Sequence, residues 1–179
     1  MKTTISASAM KNGLILGLVF AVGFLSMLQA VVSEQYLLIY ISFFCMIFSL
    51  VLAYRYAVSY RNKENNGVMR YGSAVWYIVL LYFFASILSG GVMMLYFKVI
   101  QPNFLTLFLE NPRLQESLAM AASMQGVTVE QARENLNVLN SIPAFTLQYI
   151  WNNTFLGVIV GALMAIFIRK EGKDNVPMS

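Results

Sequence analysis

Gln101 to Pro143 reads QPNFLTLFLENPRLQESLAMAASMQGVTVEQARENLNVLNSIP, a polar, helix-patterned stretch set between two long apolar segments. It is the largest part of the chain suited to water, so its two borders decide where the rest must be buried in something other than water. Pro102 and Pro112 suit first-turn positions, and Asn111 is a natural cap for a helix from Pro112 to about Gln125. Leu114, Leu118 and Ala121 or Ala122 share one face of that helix, and Gly126 closes it. Thr128 with Gln131 three residues later forms a capping box for a further helix striped with Ala132, Leu136 and Leu139. The two helices form a hairpin. Upstream, Phe104, Leu105, Leu107, Phe108 and Leu109 are apolar almost all round, so Phe104 and Phe108 are expected to contact lipid or a partner chain. About forty residues without a disulfide bury too little area to stand alone, so the insert should pack on the ends of the membrane helices or on a partner.

Working outward, 59% of the 179 residues are hydrophobic and only 11% charged, which a soluble domain of this size does not tolerate. The expected fold is an all-α integral membrane protein, one domain over residues 1–179. Four transmembrane helices, at about 13–32, 36–54, 73–97 and 144–168, enclose an extracytoplasmic helical hairpin between the third and fourth. The first apolar run is longer than the core of a cleaved signal, and Leu28-Gln29-Ala30 is a poor cleavage site, so it reads as a membrane helix. Ser33-Glu34-Gln35 is a tight connection, and Arg55 to Tyr71 reads as a polar loop with Asn66-Gly67 as its turn.

Orientation follows from the basic residues. Nine lie on the side of the termini and the 55–71 loop, namely Lys2, Lys11, Arg55, Arg61, Lys63, Arg70, Arg169, Lys170 and Lys173, against Lys98, Arg113 and Arg133 on the other. Both termini are therefore expected in the cytoplasm. Aromatic belts fit the same frame, with Tyr36, Tyr40, Tyr96, Tyr149 and Trp151 near the outer interface and Tyr54, Tyr56, Tyr60, Trp76 and Tyr77 near the inner one. The net charge of +4 follows this topology and does not indicate nucleic acid.

Chemistry is sparse. The chain has no His, and its one Cys, Cys45, lies in an apolar run, so imidazole catalysis, the usual zinc and iron sites and an internal disulfide are all excluded. No cofactor and no catalytic residue is expected. No charged residue lies inside the four apolar cores, which argues against a coupled pump. Gly90-Gly91 has no counterpart break in another span, so a broken transporter helix is not indicated. Glu130 and Glu134, one turn apart, read as a dipole partner and a solvated face. Asn152-Asn153-Thr154 matches a glycosylation sequon but sits too close to the fourth span to be used. The informative pattern is small residues four apart. Gly13, Gly17 and Ala21 in the first span and Gly157, Gly161 and Ala165 in the fourth let backbones approach closely, so they are read as helix-packing faces, within one chain in preference to a homodimer. Similar patches are Ala85, Ser86, Ser89 and Gly90 in the third span and Cys45, Ser49 and Ala53 in the second.

The run Gly67-Val68-Met69-Arg70-Tyr71-Gly72-Ser73-Ala74, followed by Tyr96-Phe97, Gln101-Pro102-Asn103-Phe104 and Met124-Gln125-Gly126-Val127-Thr128-Val129-Glu130-Gln131-Ala132, resembles the bacterial family known as domain of unknown function 4199. The resemblance covers roughly residues 10 to 170. It implies a small four-span inner-membrane protein of Gram-negative bacteria with no assigned activity, and carries over no catalytic residue. The expected function is that of a non-enzymatic scaffold or interaction protein, contacting membrane lipids and another membrane protein, with homo-oligomers left open. The alternatives are an accessory subunit of a membrane-bound glycosyltransferase or envelope-lipid pathway, and a small transporter or channel.

Overall fold

The computed structural model describes residues 4–33, 35–103, 107, 110–137 and 141–170, without the side chains of Arg113, Leu114, Gln125, Arg133 and 135–137. Its elements are α1 (Ile5–Ser33), α2 (Tyr36–Lys63), α3 (Tyr71–Leu95) continued by a π-helical turn (Tyr96–Ile100), α4 (Pro112–Gln125), α5 (Val129–Asn137) and α6 (Ile142–Ile168). Four of these, α1, α2, α3 with its π turn, and α6, are long and apolar enough to cross a membrane. The protein is a multi-pass helical membrane protein. A bilayer offers no water to the backbone, so each apolar run satisfies its own N–H and C=O groups as helix.

The helices outrun the apolar segments. At 29 residues α1 is roughly 43 Å long against a hydrocarbon layer of roughly 30 Å, so its ends project. It starts at Ile5, not at 13, and α2 continues through Arg55 to Lys63, where the sequence reading placed a loop from Arg55 to Tyr71. Arginine and lysine leave the apolar layer but remain good helix formers, and an existing helix adds one hydrogen bond per further residue. The true turn is Glu64 to Arg70, with Asn66 (φ 54°) and Gly67 (φ 78°) in the left-handed region that such a reversal needs. Gly90 and Gly91 lie within unbroken α3.

Helix α3 is the centre of the bundle. Helices α1 and α6 pack along it on two sides, whereas α2 rests mainly on α1 and barely touches α3 or α6. Consistent with this, α3 has Tyr77, Ile78, Leu81, Tyr82, Ala85 and Met93 almost wholly buried. At the end that carries the termini, Met69 and Lys170 exchange two backbone hydrogen bonds of 2.8 and 2.9 Å. Beside them Arg61 Nη1 donates to the carbonyl of Ile168 at 2.7 Å, a cationic partner for the last turn of α6. Arg61→Ala should therefore fray that turn at a cost of about 1 kcal/mol, read as faster amide exchange at residues 166–169 with the rest of α6 unchanged.

Three aromatic positions of the belt reading, Tyr60 (6% exposed), Tyr77 (0%) and Tyr149 (8%), turn into the bundle and away from lipid. Two of their hydroxyls have a polar neighbour there: Asn12 Nδ2 donates to Tyr77 at 2.9 Å, and Ser89 Oγ lies 3.1 Å from the Tyr149 hydroxyl. A tyrosine so satisfied can be buried at little cost.

At the opposite end the insert begins where Asn111 Nδ2 donates to the carbonyl of Val31 (3.1 Å), and the Tyr96 hydroxyl sits between Gln101 Oε1 (2.8 Å) and Gln29 Oε1 (3.0 Å). Helices α4 and α5 pack on each other and, among the described residues, only slightly on the spans. Ala122 of α4 is 2% exposed. Gly126 (φ 66°) ends α4, and the capping box closes reciprocally: the Thr128 amide donates to Gln131 Oε1 (3.0 Å) and the Gln131 amide to Thr128 Oγ1 (3.2 Å). Phe104, Phe108 and Leu139, and the side chains of Leu114 and Leu136, lie outside the described residues.

Candidate functional site

Both glycine ladders face α3. A Cβ added at Gly13 would stand 2.8 Å from Phe84 Cβ, and one at Gly17 2.8 Å from the carbonyl oxygen of Ala85. On the other side of α3, a Cβ at Gly157 would stand 2.7 Å from Tyr82 Cβ and one at Gly161 3.2 Å from the carbonyl oxygen of Val75. Ala21 and Ala165 extend the two rows and are buried. Bare backbone is thus pressed against α3 from two directions, and these faces are occupied within the chain.

Helix α2 has no such pair of glycines against it. Its closest glycine contact is Gly23 of α1, where a Cβ would meet Cys45 Cβ at 2.9 Å. Because α2 rests mainly on α1 and touches α6 little, a groove of about 530 Å³ opens between α2 and α6 over a floor of α1 and α3. Phe20, Phe24 and Met27 of α1, Met46 and Leu50 of α2, and Leu156 of α6 give it apolar walls. Phe20 stands edge-on to Tyr82 (5.2 Å between ring centroids) and Phe24 lies 4.4 Å from Tyr149, which fixes the aromatic floor.

Polar groups enter from the rims. Ser42 and Ser49 come from α2, and Tyr149, Asn152 and Asn153 from α6. Ser49 Oγ donates to the carbonyl of Met46 (2.7 Å), so its proton is used within its own helix. The amides are only half used. Asn152 Oδ1 accepts from Gln148 Nε2 (2.9 Å), and Asn153 Nδ2 donates to the carbonyl of Tyr149 (2.9 Å). That leaves the Asn152 NH₂ and the Asn153 carbonyl oxygen without a partner among the described residues. No carboxylate or amine lines the groove. Its chemistry is hydrogen bonding plus apolar contact, without a base to activate a nucleophile.

A search of the spans for charged residues passes over these amides, because Asn152-Asn153-Thr154 reads as an unusable sequon. The available signal was three side-chain amides, Gln148, Asn152 and Asn153, crowded onto two turns of an otherwise apolar helix, where each unmet hydrogen bond is expensive. Which way those amides face depends on the rotation of α6, which Gly157 and Gly161 fix by docking on α3.

No curated protein and no solved structure matches the chain. Residues 11–170 match the model of a family described as protein of unknown function (DUF4199), and with nearly the whole chain covered, the protein belongs to that family.

Proposed function

We propose that this protein is a non-enzymatic interaction protein of the bacterial inner membrane, with both termini in the cytoplasm and the α4–α5 hairpin outside. The observation that carries this reading is the groove between α2 and α6, a membrane-embedded concavity with unspent hydrogen-bonding groups and no acid, base or charged path. Enzymes need paired nucleophile and base, and coupled transporters need ionisable relays. A binding protein needs neither. The orientation rests on the nine-to-three distribution of basic residues, and the insert, held to the spans near Asn111, is the second surface open to a partner.

Two measurements test it. In a Cys45→Ala background, Ser123→Cys should react with an impermeant maleimide added outside intact cells, and Asn65→Cys only after lysis; the reverse pattern overturns the orientation. Native membranes cross-linked and purified in mild detergent should yield a membrane-protein partner whose recovery falls when the insert is altered. Solute flux by the purified protein in liposomes would instead place it among transporters or channels.

A further inference from the structure

We infer that the groove between α2 and α6 binds one uncharged amphiphile, a single long apolar chain joined to an amide group that pairs with Asn152 and Asn153. This rests on the reading of the groove as a binding site and names its ligand class. Size is the first argument. The space between the walls is about 530 Å³, which a single flexible chain can fill.

Depth is the second argument. Asn152 is ten residues into α6, a 27-residue helix apolar enough to cross a membrane, and it follows Trp151, the residue read as lying near the outer interface, so both amides sit where the apolar layer begins. The free NH₂ of Asn152 asks for an acceptor and the free carbonyl of Asn153, its neighbour on the helix, asks for a donor. An amide supplies both from one group. A headgroup with net charge is disfavoured, because no counter-charge lines the groove and the dielectric is low. Below the amides, Phe20, Met46, Leu50 and Leu156 offer the apolar path that the chain needs.

Cys45, the chain's single cysteine, lines the groove and reports on its occupancy. The full-length protein in nanodiscs is alkylated with N-ethylmaleimide while oleamide or hexadecane is titrated in. Oleamide should slow alkylation saturably, and Asn152→Leu with Asn153→Leu should raise the concentration for half-protection about tenfold, since two membrane hydrogen bonds of about 0.6 kcal/mol each are lost. Asn152 is exposed, so leucine there should not disturb packing. As a check that needs no groove variant, a brominated oleamide should quench Trp151 saturably in a Trp76→Phe protein. Absence of protection, equal protection by hexadecane, or unchanged protection in the double variant each overturns the proposal. None of these outcomes bears on whether the insert recruits a partner, so this ligand and the interaction reading can fail separately.

Discussion

Gly157→Leu should lower the thermal midpoint of the detergent-purified protein by roughly 6–12 °C, corresponding to about 3 kcal/mol of overpacking in a chain of this length. The atom in the way is Tyr82 Cβ, 2.7 Å from where the new Cβ must go. It is fixed to the α3 backbone, so no rotamer change relieves the clash and α6 must move off α3. Separation then forfeits close contacts along the whole interface. Gly17→Leu should cost as much, because its obstacle is the backbone oxygen of Ala85 at 2.8 Å, whereas Gly161→Leu, at 3.2 Å from Val75 O, should cost less. Two controls fix the scale. Gly91 has nothing within 4 Å of an added Cβ, and Leu163 is 61% exposed on the flank of α6 away from α3, so Gly91→Leu and Leu163→Ala should leave the midpoint nearly unchanged. Equal midpoints across the five variants would mean that the ladders do not hold the bundle.

The physical basis of that series also explains what could be read in advance. Four long apolar runs announce four helices because in lipid nothing else satisfies the backbone. The glycine spacing announces close approach but not the partner: Gly13-Gly17 and Gly157-Gly161 could each have met any neighbour, and only the fold shows that both meet α3. Helix ends were misjudged because polarity marks where the membrane stops, not where the helix does, as Arg55 to Lys63 show. The burial of Tyr77 and Tyr149 is hidden for a related reason, since an amphipathic ring suits a lipid-facing and an inward position equally until a partner such as Asn12 or Ser89 is brought to it. The groove was the least legible feature. It is produced by α2 leaning mainly on α1, and no local pattern in residues 36–63 encodes so thin a contact with α6.

Ala122→Asp should expose the insert to protease without disturbing the spans. In the proposed hairpin, α4 and α5 have 14 and 9 residues, each too short to persist alone in water, so the unit stands on its packing. Ala122 of α4 is 2% exposed. A carboxylate buried there without a counter-charge costs about 3 kcal/mol or more, which exceeds what so small a unit can hold in reserve. When opening is fast relative to cleavage, the cleavage rate follows the open population, so trypsin should cut at Arg113 and Arg133 about 100-fold faster than in the parent protein. Met124→Asp places the same charge two residues away at an 82% exposed position and should cleave at the parent rate. Membrane insertion and the thermal midpoint of the bundle should be unchanged in both variants, because among the described residues α1, α2, α3 and α6 take almost none of their packing from α4 and α5. If the parent protein were already cut as fast as Ala122→Asp, the hairpin would have no folded state to lose, and the proposal that it presents a partner surface would have nothing to stand on.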